Sequence, residues 1–235
     1  MSTLDLARQL NAVETICVKR ELQTRCASQP FDYIFVLDFE ATCWDRLDKD
    51  RGYSEIIEFP CVLYYVKKEN IVAEFQEYVM PIEKPRLTAF CTELTGISQK
   101  QVDNGCPLGT CLMLFRQWLN KQMIKFGITM ETPYSKCTFA TWSDWDLGVC
   151  LRNECRRKRI AYPTFFENWM DVRYLYREFY QRRPKGLYGA LSEVGLEFTG
   201  RQHCGLDDAR NTAKLIGRMI ADGIFLRNTT ESSGE

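Results

Sequence analysis

Residues 33–40 read Tyr-Ile-Phe-Val-Leu-Asp-Phe-Glu, and the fold turns on them. Tyr33 to Leu37 form an unbroken apolar run of β-formers, which predicts a buried central strand. The run ends in Asp38-Phe39-Glu40. Side chains at i and i+2 of a strand share a face. Two carboxylates are therefore expected together at the carboxyl end of a buried strand, the edge where open α/β sheets place ligands. Adjacent carboxylates repel and want a cation between them, and hard oxygen donors favour Mg²⁺ or Mn²⁺. An Asp-x-Glu taken alone is a weak signal, since a solvated loop pair has the same letters. The strand before it is what strengthens it.

Outward from this strand, Glu55 to Val66 and Ile71 to Val79 read as two further strands, with Lys67 to Asn70 as the turn between them. Short links suggest an antiparallel meander. A charge-dense loop, Asp45 to Gly52, separates the first strand from the second. Helical spacing follows over Leu87 to Leu94 and from Pro107 to about Lys125. Gly127 to Lys136 reads as loop and Cys137 to Trp142 as strand. Ser143 or Asp144 is placed to cap a helix to about Arg159. Further helices fit Asp171 to Tyr180, Gly189 to Val194 and Asp207 to Asp222. The expected fold class is α/β, a mixed central sheet flanked by helices. The expected organisation is an N-terminal extension over 1–30, one domain over 31–227, and a disordered tail over 228–235.

Composition fits a globular chain. Of 235 residues, 45% are hydrophobic and 13% aromatic, enough for a sizeable core. Lys+Arg and Asp+Glu are both 31, so the total charge carries no nucleic-acid signal and any such site must be a local patch. Eleven cysteines without a CxxC pair, and a single histidine, argue against structural zinc and for reduced thiols. Neither a secretory apolar run nor a membrane-length apolar stretch occurs. A soluble protein of the cytoplasm and/or nucleus is expected.

Two more stretches carry acidic residues at element ends. Trp142-Ser143-Asp144-Trp145-Asp146 follows a predicted strand and opens a helix. Asp144 suits the cap, which leaves Asp146 in the first turn able to face the first strand. His203-Cys204-Gly205-Leu206-Asp207-Asp208 opens the last helix. Asp207 suits its cap, and Asp208 would project inward, where the helix dipole favours an anion.

Asp-x-Glu, an aspartate about a hundred residues later, then His-x4-Asp resembles the pattern of the DEDDh exonucleases, which have a ribonuclease-H-like fold. The strings DFEATCW (38–44), EIIEFP (55–60), TELTGI (92–97), ATWSDWDLG (140–148), PKGL (184–187) and HCGLDDARNTA (203–213) narrow the resemblance to the Eri-type exoribonucleases. That group includes the histone-mRNA 3′ exonuclease and the insect protein Snipper, and the similarity runs from about Phe31 to Leu226. It implies a 3′→5′ exonuclease of RNA and also DNA, including structured substrates with 3′ overhangs, that releases nucleoside 5′-monophosphates. It implies two Mg²⁺ ions, with Mn²⁺ as a substitute, held by Asp38, Glu40, Asp146 and Asp208. Catalysis would fall to His203, as general base, and to Glu40. Ala41, Thr42, Leu94, Trp145 and His203 would meet the terminal nucleotide. Enzymes of the histone-mRNA type carry an N-terminal SAP domain. About thirty residues precede the domain here, so a Snipper-like form lacking it is expected.

The partners so implied are RNA and/or DNA 3′ ends, with no membrane and no identified protein partner. Residues 152–185 hold ten Arg and Lys against four acids, interleaved with Tyr174, Tyr176, Phe179 and Tyr180. That is either a groove for a nucleic-acid backbone or a solvated helix face. Asp171 reads as structural rather than as a further ligand. The competing reading from another class is a catalytically silent nucleic-acid-binding or scaffold protein on the same fold.

Overall fold

The computed structural model describes residues 28–49, 51–130 and 136–230. The apolar run becomes β1, Tyr33–Leu37, and it lies inside a six-stranded mixed sheet. On one side β3 (Ile56–Tyr65) runs antiparallel to it, and β4 (Asn70–Tyr78) runs antiparallel to β3. The expected meander is present. The two-residue strand β2, Glu40–Ala41, continues β1 along the same β3 after a break at Asp38 and Phe39. On the other side β5 (Cys137–Thr141) pairs parallel to β1, and β6 (Trp169–Asp171) pairs parallel to β5. Leu37 lies opposite Thr141. The two central strands thus end together at one edge of the sheet.

Burial on both faces follows from the run itself. Phe35 and Leu37 pack into a core with α3 (Leu108–Phe126), whereas Ile34 and Val36 pack on the opposite face with α5 (Val172–Tyr180), α6 (Gly186–Glu193) and α7 (Gly205–Ala221). Two short helices, α1 (Ala89–Thr95) and α2 (Gln99–Asp103), cover the end of β3 with a third small cluster around Ile57 and Cys91. A fourth helix, α4 (Arg152–Lys158), follows β5.

Several expectations are corrected. β6 and α2 lie outside the expected elements, because three and five residues give too few periods to read. The helix after β5 is not α-helical throughout, because Trp145–Leu151 is a π-helix before α4 begins. Helix α6 starts at Gly186 rather than Gly189. Asn228 to Thr230 are not frayed. Thr229 and Thr230 exchange hydrogen bonds with Trp169 and Asp171 of β6, and Thr138 Oγ1 lies 2.5 Å from Asn228 Oδ1. Gln29, within the expected extension, clamps Ile224 and Leu226 through both ends of its amide. Residues 1–27 of the expected extension and 231–235 of the expected tail lie outside the described residues. Among the described residues, no disulfide joins two cysteines and no helix is long and apolar enough to cross a membrane.

Phe115 is fully buried at the centre of an aromatic cluster, with Phe59, Phe75 and Phe166 ring centroids 5.1, 5.3 and 5.7 Å away. Phe115→Ala should lower unfolding free energy by ~3–5 kcal/mol, since the surrounding rings cannot close on so large a void. Urea denaturation reads this directly. A loss below ~1 kcal/mol would mean the cluster repacks.

Candidate active site

The common edge of β1 and β5 sets the first two acids. Asp38 follows β1, and Asp146 lies in the first turn of the π-helix that follows β5. The Phe39 N–H donates to Asp146 Oδ1 at 2.8 Å, which joins the two strand ends directly. Asp146 is 4% exposed, whereas its neighbour Asp144 faces solvent. Asp144 does occupy the cap position, but its side chain caps nothing. Its N–H donates instead to Asp171 Oδ2, and its carboxylate lies where a Cβ on Gly148 would stand. Asp171 also accepts from the Tyr174 N–H as the cap of α5, which is the structural role expected of it. A π-turn holds an extra residue per turn, and such turns recur at functional sites.

Asp208 arrives on α7, and that helix approaches the end of β1 closely. A Cβ on Gly205 would stand 2.4 Å from the Asp38 carbonyl oxygen and 2.9 Å from Pro60 Cγ. Glycine alone lets the helix start so near. The free N–H groups there are met by Glu58 of β3, which is 1% exposed. Its Oε2 accepts from Gly205 N–H at 3.0 Å and its Oε1 from Leu206 N–H at 3.3 Å. Asp207 was expected to cap this helix and does not, because the helix begins two residues earlier, with Cys204 at the cap. Asp207 binds the Arg201 N–H and the Arg210 guanidinium instead.

His203 sits in the loop before α7 with φ 61°, a left-handed backbone that non-glycine residues seldom adopt. Two contacts over-determine this loop. Asn211, 1% exposed, bonds both the N–H and the carbonyl of Thr199 through its amide. Arg201 Nη2 donates 2.6 Å to the Glu93 carbonyl, and its guanidinium fills the space over Gly96. Arg201 thereby ties the His203 loop to the end of α1, where Leu94 stands.

One cleft of about 290 Å³ collects these pieces. Asp38, Glu40, Asp146, Asp208 and His203 line it, and so do Ala41, Thr42, Leu94 and Trp145. Every predicted site residue is brought to it. Leu94 is outside the apolar core clusters, and Trp145 is 40% exposed, so neither is plain core. Thr42 is buried and already committed: its N–H donates to the Glu55 carbonyl and its hydroxyl accepts from the Glu55 N–H. Ligand-capable atoms of Glu40, His203 and Asp208 all lie within 4.8 Å of one another. Sequence reasoning missed Glu58, Arg201, Asn211 and the role of Gly205. A charged residue inside a buried strand was a visible signal for Glu58, but its partners are 147 and 148 residues away.

Comparison with known proteins agrees with this geometry. The RNase_T family, described as Exonuclease, matches residues 35–216. The chain is 43% identical to the 3′-5′ exonuclease Snipper of Drosophila melanogaster, over 97% of this chain and 83% of that protein. It is 48% identical to ERI1 exoribonuclease 2 of Xenopus laevis over 97% of this chain but only 35% of that protein, so it spans about a third of that relative. Among solved structures, the nuclease domain of 3′hExo, a DEDDh family member bound to rAMP, superposes with a TM-score of 0.77 at 35% identity. The match covers 86% of this chain and 98% of that domain. The chain belongs to the DEDDh exonucleases. It falls in the Eri-type and Snipper-like branch and has the ribonuclease-H-like fold of that family.

The electrostatics of this DEDDh site are set by crowded acids. Burial, then the neighbouring charges of Asp146, Asp208, Glu40 and Glu58, push the Asp38 carboxyl well above its ordinary range. Burial, then Asp208 and Glu58, raise Glu40 to about 9. Burial raises Asp146 and Asp208 to about 7 each, against backbone hydrogen bonds from Phe39 and His203 that pull the other way. Among the described residues, no Lys or Arg lines the cleft. A set of buried carboxylate oxygens with no side-chain cation is the donor chemistry that fits hard divalent ions.

Without metal, the native carboxylates bind protons that the unfolded chain has released above pH ~4. Their stabilisation is therefore full below about pH 4 and is lost as pH rises through about 7 for Asp146 and Asp208 and about 9 for Glu40. Melting in EDTA should fall across that window, and Mg²⁺ should raise the melting temperature more at pH 8 than at pH 5. An equal rise at both would contradict the crowding. Gly205→Ala should push α7 from Asp38, weakening Mg²⁺ binding by calorimetry even where the variant stays folded; an unchanged affinity would refute the tight fit.

Proposed function

We propose that this chain is a divalent-metal-dependent 3′→5′ exonuclease that releases nucleoside 5′-monophosphates from RNA and also DNA, structured substrates with 3′ overhangs included. The observation that carries the reading is the convergence of Asp38, Glu40, Asp146, Asp208 and His203 in one cleft that no Lys or Arg among the described residues lines. The four acids would hold two ions, Mg²⁺ in the first instance with Mn²⁺ as a substitute. When bound, the ions supply Lewis acidity and neutralise phosphate charge.

The chain's own residues do the rest. Trp145, exposed and aromatic, offers a stacking face for the terminal base, and Leu94 offers an apolar one. Base stacking of this kind is worth ~1–3 kcal/mol and reads no sequence. Ala41 at the end of β2 and Thr42 just after it hold the same nucleotide, Thr42 through its hydroxyl proton. His203 accepts the proton of the attacking water. Its position near Glu40 and Asp208 puts its imidazole beside the acids, and its solvent-exposed loop gives the proton an exit. Water attacks phosphorus and the bond to the 3′-oxygen of the penultimate nucleotide breaks. The products are a nucleoside 5′-monophosphate and a strand one residue shorter. Reduced-thiol composition supports action in the cytoplasm and/or nucleus.

Purified protein with 5′-labelled single-stranded RNA, single-stranded DNA or 3′-overhang duplex should yield 3′-shortened ladders with Mg²⁺ and none with EDTA. Asp38→Ala and Asp208→Ala should lose both metal binding and cleavage. His203→Ala should keep metal binding and lose ~10²–10⁴ in kcat. Binding without shortening of any substrate would favour a silent nucleic-acid-binding protein. Loss of metal binding in His203→Ala would make the imidazole a ligand and remove it as the base.

A further inference from the structure

The basic stretch over 152–185 is one run in the sequence but two populations in the fold. In the first, the charges are spent on structure. Lys158, buried, bridges the carboxylates of Glu55 and Glu154 at 2.7 and 2.5 Å. Arg157 pairs with Glu83, donates to the Ser54 carbonyl and lies over the Tyr53 ring. Arg152 lies over the Tyr162 ring, and Arg156 bonds Asn153.

The second population is different. Arg173, Arg177, Arg182 and Arg183, with Tyr174 and Gln181, line a groove of about 460 Å³ along α5 and the turn after it. Arg182 donates to the Glu193 carbonyl. The side chains of Arg177 and Arg183 make no ion pair or hydrogen bond among the described residues. Of the two acids in the groove, Asp171 is engaged as the cap of α5 and Glu178 is paired with Arg227. Tyr174 stands 53% exposed, with the Arg227 guanidinium 5.7 Å from its ring. Four guanidinium groups beside a half-exposed aromatic ring are what a strand of phosphates and bases would bind.

The groove is also anchored to the catalytic cleft. Arg173 N–H donates to the Trp142 carbonyl at 2.9 Å, and Asp144 N–H donates to Asp171. Trp142 and its neighbour Ser143 line the cleft. A strand whose 3′ end occupies the cleft can extend from it only in the 5′ direction. We propose that the α5 groove binds the single-stranded nucleic acid 5′ of the terminal nucleotide, with Arg177, Arg182 and Arg183 on its phosphates and Tyr174 under a base. This rests on the exonuclease reading of the cleft. It makes the enzyme's affinity grow with substrate length, and its salt dependence arise in the groove rather than at the metal-binding acids.

The test compares the full chain with its Arg177→Glu/Arg183→Glu and Arg177→Gln/Arg183→Gln forms, on a dinucleotide and on a 20-nucleotide single strand, in Mg²⁺. The dinucleotide is too short to leave the cleft. The expected result is an unchanged rate on the dinucleotide and a KM for the long strand raised at least tenfold by the Glu form and less by the Gln form. The slope of log(kcat/KM) against log salt should also flatten, by about 0.7 for each single-strand phosphate that the variant no longer neutralises. Unchanged KM and salt slope on the long strand would overturn the proposal and leave the groove to a protein partner. An equal loss on both substrates would overturn it too, since the effect would then lie in the cleft or the fold. If the unaltered chain cleaves neither substrate, the exonuclease reading fails. Anisotropy of the labelled 20-mer then decides the groove alone: tenfold weaker binding by the Glu form upholds it and equal binding refutes it.

Discussion

Crowded negative charge at one edge of the sheet is the constraint to which the rest of the structure answers. Asp38, Glu40, Glu58, Asp146 and Asp208 act on one another there, and among the described residues no Lys or Arg lines the cleft beside them. Isolated buried carboxylates cost far more than any single contact returns. The fold offsets part of that cost with backbone N–H groups: Phe39 on Asp146, His203 on Asp208, Gly205 and Leu206 on Glu58. The positive end of α7 adds its dipole. What these donors leave uncompensated is what divalent ions would complete.

Much of this was legible from local pattern. The apolar run 33–37 gave a strand buried on both faces, and the Asp-x-Glu after it gave two acids on one side. The motifs around Asp146 and His203 brought the remaining letters. Local pattern was weaker wherever a partner lies far away in the chain. Capping preference put Asp207 at the start of α7, but Glu58 from a distant strand takes that work, so the helix begins at Gly205. Asp144 looked like a cap and sits at the cap position, yet its carboxylate turns over Gly148 while Asp146 faces the cleft. The π-helix has no period that a seven-residue segment could betray. Nothing in the sequence around Arg201 shows that it strings the His203 loop to α1.

Charge shows the same gap between composition and arrangement. Equal numbers of acids and bases sum to zero, yet the fold sets an acidic cleft beside a groove lined by four arginines. Nearby bases that look equivalent in sequence, such as Lys158 and Arg177, end in opposite circumstances, one locked between two glutamates and the other open to solvent. Local fields of this kind govern encounter with charged ligands, whatever the total.

The parallel pairing of β1 with β5 has a consequence for how the molecule is made. Partners such as Tyr33 and Cys137 lie about a hundred residues apart, and pairings of that span close late because the loop entropy comes first. At a ribosomal rate of ~5–20 residues per second, β1 waits about 5–20 s for β5 to emerge, and longer for the helix that carries Asp208. During that interval its apolar edge has no lasting neighbour on the β5 side. The growing chain thus carries an unpaired apolar strand edge, and its four cleft acids come together only after α7 has left the exit tunnel.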